Sequence, residues 1–121
     1  MAKSVCMMVR HAPYGKIQAA EAVRHINGAV ANGFDTTAVF IADGVYVLKT
    51  QQDETETGFT SLGKALADVL AKTEPKAKIL VHRSSAGMRG LSEEDILPGV
   101  KWIDDAELAD IMTDTANLML F

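Results

Sequence analysis

Cysteine is nearly absent from this sequence, since Cys6 is the single thiol in 121 residues and cannot form a disulfide within the chain. No apolar run approaches the roughly 18 residues of a membrane-spanning helix, and no apolar leader with a small-residue cleavage site follows Met1. Lysine and arginine form no runs and the net charge is −4, which disfavours attraction to phosphate backbones. These absences predict a cytoplasmic protein with no membrane contact and no direct nucleic-acid binding.

Five short apolar runs have the length of β-strands and the continuous hydrophobicity that is typical of strands buried on both faces. They lie at residues 5–9, 37–42, 78 to 81 or 82, 100–103 and 118–121, the last predicted to be a buried terminal strand. Between them, apolar residues recur at helical spacing over 19–30, 59–70 and 104–112. Because parallel neighbours need crossover connections, this order predicts a single α/β domain over residues 1–121, a three-layer α/β/α domain with a mainly parallel five-stranded sheet.

Several local patterns refine this prediction. Ser92-x-x-Asp95 and Asp104-x-x-Glu107 are capping boxes, the second of which opens the last helix. The apolar residues 45–48 are compatible with a bent extension of the second strand but favour a short helix or turn, and residues 49–58 favour an exposed polar loop. Residues 83–91 are small, polar and punctuated by glycine, which favours a turn after the third strand.

Polar residues follow the first three predicted strands. Because parallel strands direct the loops at their carboxyl ends to one edge of a sheet, and open α/β sheets bind ligands there, a pocket is expected at that edge. Turn formation alone also accounts for the glycines and Pro13 of these loops, so both interpretations stay open. The predicted pocket consists of His11, Tyr14, Asp43, Gly44, His82, Ser84, Ser85 and Arg89.

The chain lacks the common motifs of cofactor, metal and nucleophile sites. Neither glycine-rich nucleotide motif is present, and His11, His25 and His82 lack the spacing of metal ligands, so no cofactor and no metal are expected. A serine–histidine–acid triad of Ser84 or Ser85 with His82 and Asp43 is conceivable, although the G-x-S-x-G elbow is missing. Cys6 lies within the first strand pattern, where a thiol is usually an inert core residue.

Three stretches together resemble the DsrE/DsrF-like family, and most closely its DsrF/TusC branch. They are Phe-Ile-Ala-Asp-Gly-Val at 40–45, Val-His-Arg-Ser-Ser-Ala-Gly-Met-Arg-Gly-Leu at 81–91, and a short apolar strand that ends at Phe121. The resemblance spans nearly the whole chain. It implies an α/β sandwich that assembles into dimers, trimers or hexamers, and a role in cytoplasmic sulfur handling.

In DsrE-like carriers, the resemblance implies, a cysteine at the end of the third strand holds a persulfide that passes between partner proteins in sulfur oxidation or tRNA thiolation. The matching residue here is His82, and an imidazole cannot hold a sulfane sulfur. Cys6 lies on a different strand and does not replace the missing thiol.

Three functions are compatible with this departure. The chain is expected to be an accessory, non-catalytic subunit of a sulfur relay, either homo-oligomeric or bound to Cys-bearing DsrE-like subunits, with the apolar residues 45–48 as the contact surface. The alternative is a stand-alone homo-oligomer that binds a small molecule at the same crevice. A third hypothesis makes His82 a general base, since imidazole titrates near neutrality.

Overall fold

The computed structural model describes residues 4–13, 17–50, 62–71, 77–115 and 117–121. Strands and helices alternate along the chain, with short 3-10 segments after the second strand and before the fourth. The strands are β1 (Ser4–Val9), β2 (Asp35–Phe40), β3 (Lys78–His82), β4 (Lys101–Ile103) and β5 (Leu118–Leu120). The helices are α1 (Gln18–Ala31), α2 (Leu62–Ala71), α3 (Arg83–Met88) and α4 (Asp105–Asp114), and the 3-10 segments are Ala42–Leu48 and Glu93–Asp95.

The five strands form one parallel sheet in the order β4-β3-β2-β1-β5. The chain therefore adds β2, β3 and β4 in sequence on one side of β1 and returns through α4 to place β5 on the other side. The predicted α/β class, the parallel sheet and the three layers are all confirmed.

One face of the sheet is thickly covered. Buried residues of α1, α2, α3 and the 3-10 helix Ala42–Leu48 pack on Met7, Phe40 and Val81 in a single core cluster. Ala19 and Ala22 of α1 are fully buried, and their small side chains let the helix lie close to the strands.

The other face is thinly covered by α4. Its core cluster consists of Cys6, Val39, Leu80 and Ile103, on which Leu108 and Ile111 of α4 are only partly buried. No residue of α4 is buried, and Met112, which was predicted to belong to its apolar side, is 45% exposed. The exposure of Met112 means that the apolar side of α4 is not fully used within the chain.

Both predicted capping boxes are confirmed. The Asp104 carboxylate accepts a 2.8 Å hydrogen bond from the Glu107 N–H, and the Glu107 carboxylate accepts one of 3.3 Å from the Asp104 N–H. Asp95 accepts from the N–H and the hydroxyl of Ser92, and these bonds lower the pKa of its carboxyl group. Each box satisfies N–H groups that a helix start otherwise leaves unpaired.

The prediction of a turn over residues 83–91 is wrong. The chain passes from His82 directly into helix α3, which ends before Gly90, whose φ is 71°. Only Ser85 and Ala86 of α3 are buried. Because a six-residue helix with two small buried residues shows no apolar period, its glycines and serines looked like a turn in the sequence.

The assignment of residues 45–48 as a contact surface is also wrong. They belong to the 3-10 helix Ala42–Leu48, which agrees with the predicted short helix, but Val45, Val47 and Leu48 have no exposed surface. Their apolar character is explained by burial in the core under α2 and α3. The predicted loop at 49–58 and the start of the second helix lie mostly outside the described residues.

The terminal strand is placed correctly, but its predicted burial is wrong. Leu118, Met119 and Leu120 are 40%, 36% and 55% exposed. β5 is an edge strand that pairs with β1 only, so it lies at the margin of the sheet. Among the described residues, no helix is both long and apolar enough to cross a membrane.

Candidate functional site

The candidate site lies at the carboxyl edge of the sheet, where three chain segments meet. β3 ends at His82, the 3-10 helix Ala42–Leu48 follows β2, and α4 begins at Asp105 just after β4. Because all the strands are parallel, their carboxyl ends share this edge. The topology thus brings together residues that are far apart in the sequence.

His82 is the centre of a hydrogen-bonded chain. Its Nδ1 lies 2.7 Å from the Ser85 hydroxyl oxygen, and its Nε2 lies 2.6 Å from a carboxylate oxygen of Asp105. Ser84 donates a 3.0 Å hydrogen bond to the same Asp105 oxygen. The His82 side chain is only 14% exposed, whereas that of Asp105 is 78% exposed. The imidazole therefore links the start of α3 to the start of α4.

The backbone of Ala42 also takes part in this chain. The Ala42 N–H donates to the Ser85 hydroxyl oxygen at 2.9 Å, and the hydroxyl proton can then point at His82 Nδ1. In the tautomer in which Nδ1 accepts, Nε2 carries the proton and donates it to Asp105. Both ring nitrogens are occupied by protein groups, so neither is open to a substrate proton in this structure.

The acid of the serine–histidine–acid arrangement is Asp105, and the choice of Asp43 is wrong. Asp43 instead accepts from Arg89, whose Nε and a terminal nitrogen both lie 3.1 Å from one carboxylate oxygen. Arg89 also donates to the carbonyl of Ser85 at 3.1 Å. These contacts engage Arg89 in holding α3 against the 3-10 helix.

Asp105 has a lowered pKa for two structural reasons. The hydrogen bond from His82 is the larger cause and the hydrogen bond from Ser84 the second, since both stabilise the charged carboxylate. Asp105 is also the first residue of α4, where the helix dipole favours a negative charge.

Gly44 has a packing role at the end of β1. A Cβ atom built on it would overlap the carbonyl oxygen of Val9 and lie 2.6 Å from the Val9 carbonyl carbon. The close backbone approach explains why glycine follows Asp43. Next to this contact, Ala42 has a positive φ of 50°, which is unusual for a residue with a side chain.

The structure thus gathers Asp43, Ser84, Ser85, His82 and Arg89 into one network and places Gly44 beside it. His11 follows β1 and its Nδ1 is buried without a hydrogen-bond partner, while the His82 nitrogens bond to Ser85 and Asp105. Tyr14 lies outside the described residues. Whether these residues bind a ligand stays a prediction.

Asp105 was missed in the sequence although a signal was present. The Asp104 capping box fixes where α4 begins, and the preceding strand β4 ends at Ile103. A carboxylate directly after a parallel strand therefore lies at the site edge. The remaining information, that β4 is the neighbour of β3, comes only from the strand order.

Cys6 does not belong to the hydrogen-bonded network around His82 and lies in the core instead. It is 3% exposed in the middle of β1, and burial raises the pKa of its thiol above 9.0, an effect that a hydrogen bond with Thr115 partly opposes. The predicted core position of Cys6 is confirmed. In the described part of the chain, no three His, Cys, Asp or Glu residues are grouped as metal ligands would be.

We expect the folded protein to resist thiol alkylation. Iodoacetamide at neutral pH should leave Cys6 unmodified in the native chain and label it fully after denaturation, because the reactive thiolate is both scarce and shielded. Mass spectrometry of the two samples measures this difference. Rapid labelling of the native chain would contradict the buried position.

The comparisons with known proteins agree with this fold. The sequence model of the DsrE/DsrF-like family matches residues 3–121, and the chain belongs to that family. It is 28% identical to the intracellular sulfur oxidation protein DsrF of Allochromatium vinosum, with 98% of this chain and 96% of that one covered. It is 29% identical to the protein TusC homolog of Vibrio vulnificus, with 94% and 95% covered. The crystal structure of the ychN protein from E. coli has the same fold, with a TM-score of 0.77, 21% identity and full coverage of both chains.

Proposed function

We propose that this chain is an accessory, Cys-lacking subunit of a cytoplasmic sulfur-relay or sulfur-oxidation system, and that it acts as an oligomer. The family and the similarity to DsrF and to the TusC homolog support the sulfur pathway. The proposal that this chain is not itself a sulfur carrier rests on its own residues.

One observation carries the proposal. His82 ends β3, and its two ring nitrogens are held by Ser85 and Asp105. An imidazole forms no persulfide, and the only thiol of the chain is buried within β1 with a raised pKa. The end of β3 is therefore hydrogen-bonded to protein groups and lacks a thiol, as expected of a subunit that supports a carrier.

The proposed partner is a Cys-bearing DsrE-like subunit. In this arrangement the partner carries the persulfide, and the present chain contributes an ordered surface around His82, Asp105 and Arg89. The exposed Asp105 carboxylate lies at that surface, with His82 behind it.

The experiment mixes the purified chain with a Cys-bearing DsrE-like subunit from the same cell and measures co-elution and sulfur content. We expect a stable complex in which a sulfane donor loads the partner and leaves the present chain unloaded. A partner variant with its cysteine replaced by serine is the matched control, which should still bind but accept no sulfur. Failure to bind any such subunit, or transfer of sulfur onto this chain, would contradict the proposal.

A second candidate is a stand-alone small-molecule-binding protein. A cleft of about 930 Å³ under α4 favours this second function. The cleft lies on the face of the sheet that α4 covers, and not at the crevice that the sequence predicted. Comparing the mass of the native protein with that of the denatured chain tests it, since a co-purifying ligand appears only in the native sample. The general-base hypothesis is weakened, because both His82 nitrogens are engaged.

A further inference from the structure

The cleft of about 930 Å³ opens on the α4 face of the sheet, around the amino ends of β3 and β4. α4 connects β4 to β5, and these are the opposite edges of the five-stranded sheet. A ten-residue helix is about 15 Å long, whereas five strands spaced about 4.8 Å apart span about 19 Å, so α4 leaves part of this face uncovered. β3 runs from Lys78 in the cleft to His82, so the cleft lies at the other end of the strand from the candidate site.

The floor of the cleft is apolar. Leu80 of β3 and Ile103 of β4 are buried residues that line it, and Ile111 of α4 packs on the same core cluster. Thr37 and Thr115 add two hydroxyl-bearing side chains to the lining. The volume is within the range of roughly 300–1,000 Å³ that is usual for small-molecule sites, which also combine an apolar surface with a few polar groups.

Two lysines form a basic wall on the strand side of the cleft. The register pairs Leu80 with Lys101, and side chains alternate along each strand, so Lys78 and Lys101 lie on the same face as Leu80. Both lysines line the cleft and both are exposed. They are diagonal neighbours on adjacent strands, so a carboxylate placed between them would meet two ammonium groups.

Two aspartates form an acidic wall on the helix side. Asp110 and Asp114 line the cleft together with Glu107 and Ile111, so a single stripe of α4 at helical spacing faces it. Both aspartates are exposed, whereas the Glu107 carboxylate is engaged in the capping box. Like charges one helical turn apart repel each other, and an ammonium group placed between the two aspartates would relieve that repulsion.

The two walls do not neutralise each other. Among the described residues, no ion pair engages any of the two lysines and two aspartates. Each wall therefore presents a pair of like charges, and the apolar floor lies between the walls. The complement of this lining is a molecule with opposite charges at its two ends and an apolar middle.

We propose that the cleft binds a small linear zwitterion, in which an ammonium end and a carboxylate end are separated by an apolar body. The ammonium end meets the acidic wall, the carboxylate end meets the basic wall, and the body covers the apolar floor. A short peptide with free ends has this chemistry, and three extended residues span at most about 10 Å. This ligand site goes beyond the accessory role in sulfur relay, and it gives the second candidate function a chemical class of ligand.

A ligand with a single charge fits the cleft less well. An anion on the basic wall would lie in a cleft whose other wall is acidic, and a cation on the acidic wall would face the lysines. Like charges brought together are strongly unfavourable, so the walls select for a ligand that carries both charges.

Capped peptides test the two ends of the ligand separately. The probe is the tripeptide Ala-Leu-Ala, titrated into the full chain by isothermal titration calorimetry. N-acetyl-Ala-Leu-Ala lacks the ammonium charge, and Ala-Leu-Ala-amide lacks the carboxylate. We expect each analogue to bind the wild-type chain roughly 10-fold more weakly than the free tripeptide, because each loses its charge-assisted hydrogen bonds to one wall.

Two double variants assign each preference to one wall. Lys78→Met with Lys101→Met should bind the free and the amidated peptide alike, while it still prefers a free amine to an acetylated one. Asp110→Asn with Asp114→Asn should bind the free and the acetylated peptide alike, while it still prefers a free carboxylate to an amide. All four side chains are exposed, so the variants are expected to fold, which circular dichroism checks.

Glu93→Gln with Glu94→Gln is the matched control. It removes two exposed charges of the 3-10 turn that precedes β4, and neither residue lines the cleft, so it should keep both preferences. Three results would overturn the proposed site. They are no binding of the free tripeptide to the wild-type chain at millimolar concentration, equal wild-type binding of the free tripeptide and either analogue, or survival of both preferences in both folded double variants.

The titration uses this chain alone, without a sulfur donor or a partner protein. Its failure therefore leaves the Cys-lacking accessory role standing, and failure of the sulfur-loading experiment leaves the zwitterion site standing.

Discussion

Gly44→Ala is expected to destabilise the protein strongly, although it adds only one methyl group. The new Cβ would overlap the carbonyl oxygen of Val9. That oxygen accepts a 3.0 Å hydrogen bond from the Ile41 N–H, and Val9 is paired with Phe40 in the sheet, so the backbone cannot withdraw. We expect a loss of about 3 kcal/mol or more in the free energy of unfolding, measured by urea denaturation.

Gly28→Ala is the matched control for this substitution. Gly28 lies within α1, and a Cβ atom there meets nothing within 4 Å. The same added methyl group should stabilise the helix by up to about 1 kcal/mol, because alanine loses less backbone entropy than glycine. Equal effects of the two substitutions would show that Gly44 does not pack against β1 as described.

His82→Leu is expected to have the second-largest effect on the free energy of unfolding. This effect does not depend on a catalytic role for His82. The leucine removes the hydrogen bond between Ser85 and His82, and Ser85 is only 8% exposed, so the buried hydroxyl keeps only the bond that it accepts from the Ala42 N–H. We expect a loss of about 2 kcal/mol in the free energy of unfolding. The start of α3 and the start of α4 would also lose the link between them.

Two further variants separate the contributions at His82. His82→Asn retains an amide near the position of Nδ1 and should recover part of the stability through Ser85, but not the bond to Asp105. Ser84→Ala removes only an exposed hydrogen bond and should cost less than about 0.5 kcal/mol. If Ser84→Ala were as damaging as His82→Leu, the central position of His82 would be refuted.

The expected pH dependence of the folding stability follows from the lowered pKa of Asp105. Its pKa is lowered from 3.8 in the folded state, mainly by His82, so its stabilising contribution is complete above that value. The contribution declines as the pH falls through the lower folded pKa. We therefore expect the stability difference between wild type and His82→Leu to narrow in acid, as measured by denaturation at a series of pH values.

Much of the fold follows from short-range patterns in the sequence. Continuous apolar runs such as 5–9 indicate strands buried on both faces, and the helical period between them implies parallel crossovers. The capping residues Asp104 and Glu107 marked the start of α4 correctly. These signals are local, and each has a direct physical cause in burial or in backbone hydrogen bonding.

The errors arise where tertiary position decides the outcome. Residues 45–48 and 118–121 are both apolar in the sequence, yet Val45, Val47 and Leu48 are fully buried whereas Leu118–Leu120 form an exposed edge. Composition cannot separate these cases, because the difference lies in which helices cover each segment. Asp105 was missed for a similar reason, since its contact with His82 requires β4 to lie beside β3.

The most direct test of the account is the intact mass of the folded chain after incubation with a sulfane-sulfur donor, with Cys6→Ser and a Cys-bearing DsrE-like protein as controls. We expect the Cys-bearing protein to gain sulfur while the wild-type chain and Cys6→Ser remain unmodified. A sulfur adduct on Cys6 of the folded wild-type chain, absent from Cys6→Ser, would show that this protein is itself a carrier and would contradict the account.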